Sequence, residues 1–270
     1  MQPTYEHQGC RSSLARRVEE ASLNAWPALH QVVLDGWVLR FTRGFTKRAN
    51  SVTPLYPSLQ PSLAKVRYCE DLYAKEGLRT MFRMTTVADD GELDELLAQR
   101  GYECIDPTQV LHRALSAGEV RGVGAFSVVP IASFLATYAA FQTLDRDSRA
   151  ARAASELHRV VLTAIRGESV FGSLVVNGQP VACGMAVVER EVAGLVDIVV
   201  HPEHRRCGYG RAVVESLLGH AAELGARTAY LQVLNDNAAA RRLYAALGFE
   251  PLYEYRYRVS KPFPGHGSAP

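Results

Sequence analysis

The chain has 270 residues, of which 47% are hydrophobic and 21% charged, and its formal net charge is +2. These values are typical of a folded chain of one large or two ordinary domains, and they exclude a largely disordered protein. The basic residues are spread along the chain instead of forming a stripe, so we expect no nucleic-acid partner.

The start of the chain carries no targeting or membrane signal. Residues 1–17 lack an apolar core, and no run approaches the roughly 18 apolar residues of a spanning helix. The five cysteines are scattered and contain no Cys-x-x-Cys pair, which indicates neither a disulfide framework nor a zinc site. We therefore expect a cytoplasmic protein without membrane contact, frayed up to Cys10 and again from Ser260.

The segment 114–125 looks like a connection between two compact parts. It contains Gly118, Gly122 and Gly124 and shows little apolar periodicity. We therefore predict two domains, over 13–115 and 125–260.

After this connection, helical and strand patterns alternate. The patterns predict helices over 131–141, 151–166, 210–224 and 237–247 and strands over 170–176, 180–189, 195–200, 228–234 and 253–259. Asn177-Gly178 is typical of a tight hairpin turn. Gly225 and Gly248 follow the last two helices, where glycine favours a left-handed cap. The expected fold class is a mixed α/β arrangement.

A glycine-containing loop separates the third of these strands from the next helix. It holds Gly208 and Gly210, and arginines flank it. At a helix start the first backbone N–H groups lack intrahelical partners and the dipole is positive, so a pyrophosphate can accept several hydrogen bonds there. Glycines let phosphates approach without a Cβ in the way. The loop therefore predicts a phosphate cradle, with an ordinary strand-to-helix turn as the alternative.

Two motifs of the second half resemble the GNAT superfamily of acetyl-CoA-dependent N-acetyltransferases. Arg205-Arg206-Cys207-Gly208-Tyr209-Gly210 matches the family's Arg/Gln-x-x-Gly-x-Gly/Ala phosphate loop. Downstream, Asn237-x-x-Ala240-x-x-Leu243-Tyr244-x-x-x-Gly248-Phe249 is similar to its cofactor-binding helix. The resemblance covers 126–259 and implies acetyl transfer from acetyl-CoA to a primary amine. The residues that it assigns to the cofactor are Val199 and Val200, through their backbone, and Arg205, Arg206, Cys207, Gly208, Tyr209, Gly210, Arg211, Asn237 and Tyr244.

The implied reaction needs a proton donor for the departing thiolate and a proton acceptor for the amine. The resemblance places Tyr244 near the CoA sulfur, and the reference pKa of tyrosine, about 10, lies above the ~8.5 of a thiol, so we expect Tyr244 to be the general acid. Asp197 is the nearest ionisable side chain on the strand that should line the acceptor pocket, which makes it the candidate base. A chain of waters, Glu189, Glu191 and His201 are alternatives.

We expect no metal and no covalent intermediate. His201 and His204 lie three residues apart but lack further ligands nearby, and Cys207 is expected to contribute only its backbone N–H. The expected partner is a small-molecule amine, and the protein a monomer or homodimer. The alternatives are acetylation of protein lysines or N-termini, and an acyl-CoA-binding sensor that has lost transfer.

The first half resembles a degenerate copy of the second. An offset of 147 residues, the distance from Gly101 to Gly248, aligns 48–52 with 195–199, 63–75 with 210–222 and 83–86 with 230–233. The whole chain thus resembles a bacterial subgroup with two GNAT domains, which also carries Trp-Pro-Ala-Leu at 26–29 and Arg-Ala-Asn-Ser-Val at 48–52.

The cofactor residues are missing from this copy. Under the same offset Pro61 and Leu63 take the glycine positions, and Leu97 stands in place of Tyr244. We therefore expect one acetyl-CoA per chain. We expect the first half either to cover the apolar sheet of the second or to form one side of the acceptor site. The residues proposed for that side, the acceptor wall, are Trp37, Arg40, Arg48 and Asn50, of which Asn50 aligns with Asp197.

Overall fold

The computed structural model describes residues 4–88, 91–116, 118, 125–142 and 148–262, and for residues 4–11 and 125 the backbone only. The helices are α1 (Thr4–Asn24), α2 (Ser62–Lys75), α3 (Gly91–Gln99), α4 (Ile131–Phe141), α5 (Arg149–Thr163), α6 (Tyr209–Glu223) and α7 (Ala238–Ala246). The strands are β1 (His30–Leu34), β2 (Trp37–Phe41), β3 (Val52–Pro54), β4 (Met81–Thr85), β5 (Glu103–Ala114), β6 (Ala125–Val128), β7 (Glu168–Val176), β8 (Gln179–Glu189), β9 (Val192–Val200), β10 (Thr228–Leu234) and β11 (Glu250–Val259).

The chain divides into two compact units, each built from two segments. Unit 1 comprises Met1–Pro27 and Val110–Leu252, and unit 2 comprises Ala28–Gln109 and Tyr253–Pro270. The boundaries fall inside β5 and β11, so the units differ from the two continuous domains predicted over 13–115 and 125–260. Those domains remain a prediction about the sequence repeat. Most of the predicted linker, 117 and 119–124, lies outside the described residues.

Unit 1 is a mixed sheet with helices on both faces. Its strand order is β6-β7-β8-β9-β10, antiparallel except for the parallel pair β9–β10. Val213 and Leu217 of α6 pack over Gly184 of β8. On the opposite face Phe134 of α4 contacts Phe171 of β7, with ring centroids 5.4 Å apart. The predicted mixed α/β fold is confirmed.

Unit 2 is a smaller mixed sheet in the order β1-β2-β3-β4-β11. The pair β3–β4 is parallel, and β1–β2, β2–β3 and β4–β11 are antiparallel. Its core joins residues of β2 and β4 to α2 and α3, among them Trp37, Phe82, Tyr73 and Leu97. Burial of these apolar side chains is the main force that holds α2 and α3 on the sheet.

The two units repeat the same order of elements. The 147-residue offset places α2 on 209–222 and α3 on 238–246, which reproduces the bounds of α6 within one residue and those of α7 completely. Gly101 and Gly248, which follow α3 and α7, have φ of 80° and 79°. Both helices therefore end in the same left-handed cap.

Two predicted segments differ from the structure. Helix α1 begins at Thr4, so the prediction of a frayed start up to Cys10 is wrong. Residues 48–52, which the offset aligns with 195–199 of β9, are not a strand throughout: they begin in a 3-10 turn, Lys47–Ala49, and only the last of them enters the short β3. There the Asn50 side chain binds main-chain groups of residues 42–46, and a polar side chain that does so draws the backbone away from a sheet ladder.

None of the described helices is long and apolar enough to cross a membrane.

Candidate functional site

Strand β9 leaves β10 about halfway along its length. Their parallel pairing ends at Leu195 and Leu231, although β9 continues to Val200. On its other edge β9 stays paired with β8, but the register shifts at Asp197. A bulge of this kind bends a strand. Among the described residues, the main-chain groups of 196–200 that face β10 thus have no strand partner, and they are open to a ligand.

Asp197 lies at this bulge and is paired with a histidine. Its φ is 52°, in the left-handed region that aspartate tolerates better than most residues. Its Oδ2 lies 2.8 Å from Nε2 of His158 on α5, and both side chains are only 7% exposed. Sequence reasoning selected Asp197 but missed His158. An isolated histidine in an amphipathic helix carries no signal that would have found it.

Two aromatic rings hold the imidazole of His158. The Trp26 ring lies 5.5 Å away at an interplanar angle of 40°, and Tyr138 of α4 meets it edge to face at 4.9 Å. Trp26 is 2% exposed. In the sequence it stood out only as part of the Trp-Pro-Ala-Leu segment, and the structure places it beside the candidate base.

The loop after β9 reaches α6 through two left-handed residues. A 3-10 turn over Pro202–His204 is followed by Arg206 with φ 63° and Gly208 with φ 83°. Gly208 is the N-cap of α6, and a Cβ added there would meet no atom within 4 Å. The Cα of Gly208 thus faces open space beside the start of the helix, and α6 has no acidic residue in its first turn. This geometry suits an anion.

Gly210 has a different environment. A Cβ there would lie 3.3 Å from Cδ2 of Leu243 and 3.5 Å from Cγ2 of Val200. The small residue therefore allows α6 to pack closely against α7 and β9. Direct contact of a phosphate with Gly210 stays a prediction.

The other residues of the loop are mostly open to solvent. The side chains of Arg205 and Arg206 are exposed and Tyr209 is half-buried. Arg211 forms an ion pair with Glu215 at 3.2 Å, and the Cys207 thiol donates to the Arg205 carbonyl at a sulfur–oxygen distance of 3.6 Å. The positive charges of Arg205 and Arg206 are therefore available at the loop, and that of Arg211 is offset by Glu215.

Helix α7 brings the second predicted motif to the same core. Asn237 caps the helix, since its Oδ1 accepts the N–H of Ala240 at 3.1 Å. Tyr244 is 8% exposed and belongs to the apolar cluster that Val200 borders. Burial raises the pKa of Tyr244 to about 12, so its hydroxyl keeps its proton at neutral pH.

The alternative bases lie elsewhere or are already engaged. Glu189 accepts hydrogen bonds from Asn24 at 2.9 and 3.1 Å. It sits with Glu191 at the β8–β9 hairpin, five strand residues and so about 16 Å from Asp197. His201 accepts a backbone N–H two residues on, at 3.3 Å. Among the described residues no group of three His, Cys, Asp or Glu side chains could hold a metal ion.

The four residues predicted for the acceptor wall belong to the interior of unit 2 or its loops. Trp37 and Arg40 are each 1% exposed and Asn50 is fully buried. Arg40 donates to the Arg48 carbonyl at 2.7 Å. Asn50 accepts two main-chain N–H groups and donates to two carbonyls at 2.7–3.0 Å. Its hydrogen-bonding capacity is thereby filled, so its geometry does not support contact with a substrate.

In unit 2 the position of the cradle is occupied by the protein's own carboxylate. Asp35 in the β1–β2 turn accepts the N–H of Leu59 at 2.9 Å and that of Gln60 at 2.8 Å. These bonds hold the pKa of Asp35 below its ordinary value. Buried Lys65 completes the group, with Nζ 3.4 Å from Asp35 Oδ2 and bonded to Ser58 Oγ.

Comparisons with known proteins agree with this geometry. A family model described as "Probable histone acetyltransferase Rv0428c C-terminal" matches residues 12–258. The uncharacterized N-acetyltransferase YobR of Bacillus subtilis (strain 168) is 27% identical over 252 residues, which cover 91% of this chain and 98% of that protein.

Two solved structures share the fold. A GCN5-related N-acetyltransferase from Kribbella flavida has a TM-score of 0.66 at 18% identity, with 93% of this chain and 96% of that chain covered. A tandem GNAT protein from the clavulanic acid biosynthesis pathway has a TM-score of 0.60 at 16% identity, with 76% and 70% covered.

Proposed function

The chain belongs to the GNAT superfamily of N-acetyltransferases, whose members use acetyl-CoA, and we propose that it transfers the acetyl group directly to a primary amine of a small molecule. The reaction takes place in unit 1. Asp197 receives the proton of the amine, and Tyr244 acts on the departing sulfur.

The observation that carries this proposal is the divergence of β9 from β10 at the bulge. In the described part of the chain, the sides of Val199 and Val200 that face β10 thus lack a strand partner, and this end of β9 leads into the loop at Gly208. The end of β9 thus offers main-chain hydrogen bonds for a pantetheine arm, and the start of α6 offers N–H groups for a pyrophosphate. An ordinary strand-to-helix turn needs neither the bulge nor the open space.

The residues of the site fit acetyl-CoA as co-substrate, which supplies the acetyl group as an activated thioester. Backbone groups of Val199 and Val200 would hold the pantetheine arm. The loop Arg205–Arg211 would hold the phosphates, with arginine side chains adding charge. Asn237 and Tyr244 of α7 would lie along the same arm.

The raised pKa of Tyr244 limits which thiolate its hydroxyl can protonate. A hydroxyl with a pKa of about 12 protonates an ordinary thiolate of pKa ~8.5 only against a gradient of more than three pKa units. Burial acts on thiols in the same direction, and it raises the pKa of the Cys183 thiol in this unit to about 12. A sulfur buried beside Tyr244 would therefore match it, so the hydroxyl can donate its hydrogen bond and then its proton.

The enclosure of the base favours a compact acceptor. Asp197 and His158 are each 7% exposed, and aromatic rings flank the imidazole. A small ammonium group can reach such a carboxylate and also be attracted by ring faces. The histone acetyltransferase description of the family model favours the second candidate, acetylation of a protein or peptide amine.

A screen of CoA release tests both candidates. The purified protein is incubated with acetyl-CoA and single amines, namely amino acids, polyamines, aminoglycosides and basic peptides, and free thiol is measured. Turnover with a small amine and none with peptides supports the proposal, and the reverse result selects the protein acceptor. Tight acetyl-CoA binding without turnover on any amine would indicate a non-catalytic sensor.

A further inference from the structure

We infer that His158 and Asp197 act as one proton-accepting pair, in which His158 is the positioning residue that lets Asp197 take the proton of the acceptor ammonium. The inference rests on the proposed function and adds a residue to it. Two independent features carry it: the short contact of 2.8 Å between Nε2 and Oδ2, and the packing that fixes the imidazole.

Both members of the pair are taken out of water. Each side chain is 7% exposed, and burying ionisable groups costs free energy that well-packed apolar residues avoid. The bulge that presents Asp197 adds a left-handed residue, with φ 52°. Buried ionisable pairs at a strand irregularity are more common at functional sites than elsewhere.

In the proposed step His158 keeps its own proton. An ionised Asp197 can only accept hydrogen bonds, so Nε2–H of His158 is the donor across the 2.8 Å contact and fixes the direction of the carboxylate. An N–H bond of the ammonium breaks and its electron pair stays on nitrogen. The proton binds to the Asp197 carboxylate, and the net charge of the pair rises from −1 to 0. Solvent takes the proton after transfer.

The surrounding rings hold the imidazole of His158 in one orientation. Trp26 approaches one side of the imidazole and the edge of Tyr138 another, and α5 holds its backbone within a helix capped by Ser148. A side chain confined in this way loses little further rotamer freedom when it bonds to Asp197. The hydrogen bond therefore sets the direction of the carboxylate at the bulge.

Two variants of His158 separate its hydrogen bond from its packing. His158→Gln keeps an N–H donor near the Nε2 position, whereas His158→Phe keeps a ring beside Trp26 and Tyr138 but donates no hydrogen bond. Both are compared with wild type on the best alkylamine from the CoA-release screen and on methoxyamine, which is already uncharged at neutral pH.

We expect His158→Phe to lose about 100-fold in kcat with the alkylamine and less than threefold with methoxyamine, and His158→Gln to stay within about fivefold of wild type on both, with KM for acetyl-CoA unchanged. Methoxyamine needs no deprotonation before it attacks, whereas a packing defect would slow both nucleophiles equally. Equal losses of His158→Phe on the two nucleophiles, or a loss in His158→Gln as large as in His158→Phe, would overturn the inference.

A second measurement needs no acceptor. In nitrogen-15 spectra of the imidazole rings, we expect His158 to carry its proton on Nε2 and to change its nitrogen shifts in Asp197→Asn. If wild type acetylates no amine, the proposed function fails, and this spectrum alone decides the pair. Unchanged shifts of His158 in Asp197→Asn would refute it.

Discussion

Replacing Gly208 tests whether the open loop before α6 holds acetyl-CoA. Gly208 has φ 83°, where an L-residue costs about 1–2 kcal/mol. In Gly208→Ala the loop without ligand can relax to a negative φ. Binding of acetyl-CoA requires the positive φ again, so the cost of that strain weakens binding. At about 1.4 kcal/mol for each tenfold change, Kd for acetyl-CoA should rise roughly 5- to 30-fold. The branched side chain of Gly208→Val should weaken binding further.

Gly225→Ala is the matched control. Gly225 also has a positive φ, 93°, and a Cβ there also meets no atom within 4 Å. It follows the far end of α6, a helix of 15 residues that is about 23 Å long at 1.5 Å per residue. Gly225→Ala should lose a few degrees in Tm, and Gly208→Ala should lose less because its free loop relaxes. Calorimetry should show weaker acetyl-CoA binding for Gly208→Ala alone, and equal Kd values for the two variants would refute the assignment of the cradle.

Three further results are expected. Tyr244→Phe keeps the ring and its packing but removes the donor, so kcat should fall roughly 100-fold with little change in Kd for acetyl-CoA, and wild-type turnover would remove Tyr244 from the mechanism. Asp197→Asn keeps a residue that tolerates φ 52°, so kcat should fall while Tm changes little, and a raised acceptor KM with unaltered kcat would indicate binding instead. Calorimetry should give one acetyl-CoA per chain, with the same Kd in Asp35→Asn because that carboxylate lies in unit 2. A stoichiometry near two would contradict the expectation that unit 2 binds no acetyl-CoA.

The sequence predicted the elements of unit 1 well because local signals mark their ends. Helix α4 and strand β10 have the bounds that periodicity indicated. Gly225 and Gly248 occupy the left-handed positions after α6 and α7. Glycine is favoured there for a local steric reason, which is readable without tertiary information.

The pairing of the candidate site was not predictable in the same way. His158 and Asp197 are 39 residues apart, and their contact depends on a bulge in β9 and on the packing of α5. The only signal in the sequence was an aspartate that interrupts an apolar strand, which identified Asp197 and gave no partner. Contacts that depend on tertiary packing leave little trace in the periodicity of either segment.

The two units share a framework but differ at the loop where we propose that unit 1 binds acetyl-CoA. In both, a loop turns into a helix of matching position, α2 or α6. In unit 1 that turn is open at Gly208, whereas in unit 2 the aligned residue is Pro61, which has no N–H to offer. The N–H groups that remain there, of Leu59 and Gln60, are bonded to Asp35.

The Asp35 carboxylate stabilises the loop of unit 2 as well as occupying the place of an anion. Backbone N–H groups at a turn need an acceptor, and Asp35 satisfies them within the chain while Lys65, with its side chain fully buried, balances the charge. The Lys65 ammonium also lies 3.8 Å from the centre of the Trp37 ring, so the arrangement is tied into the core of unit 2. A pyrophosphate would have to displace a covalently tethered anion whose effective concentration is high. Asp35 and Lys65 therefore stabilise unit 2 without any ligand, whereas the side chains of Arg205 and Arg206 stay exposed in the loop of unit 1.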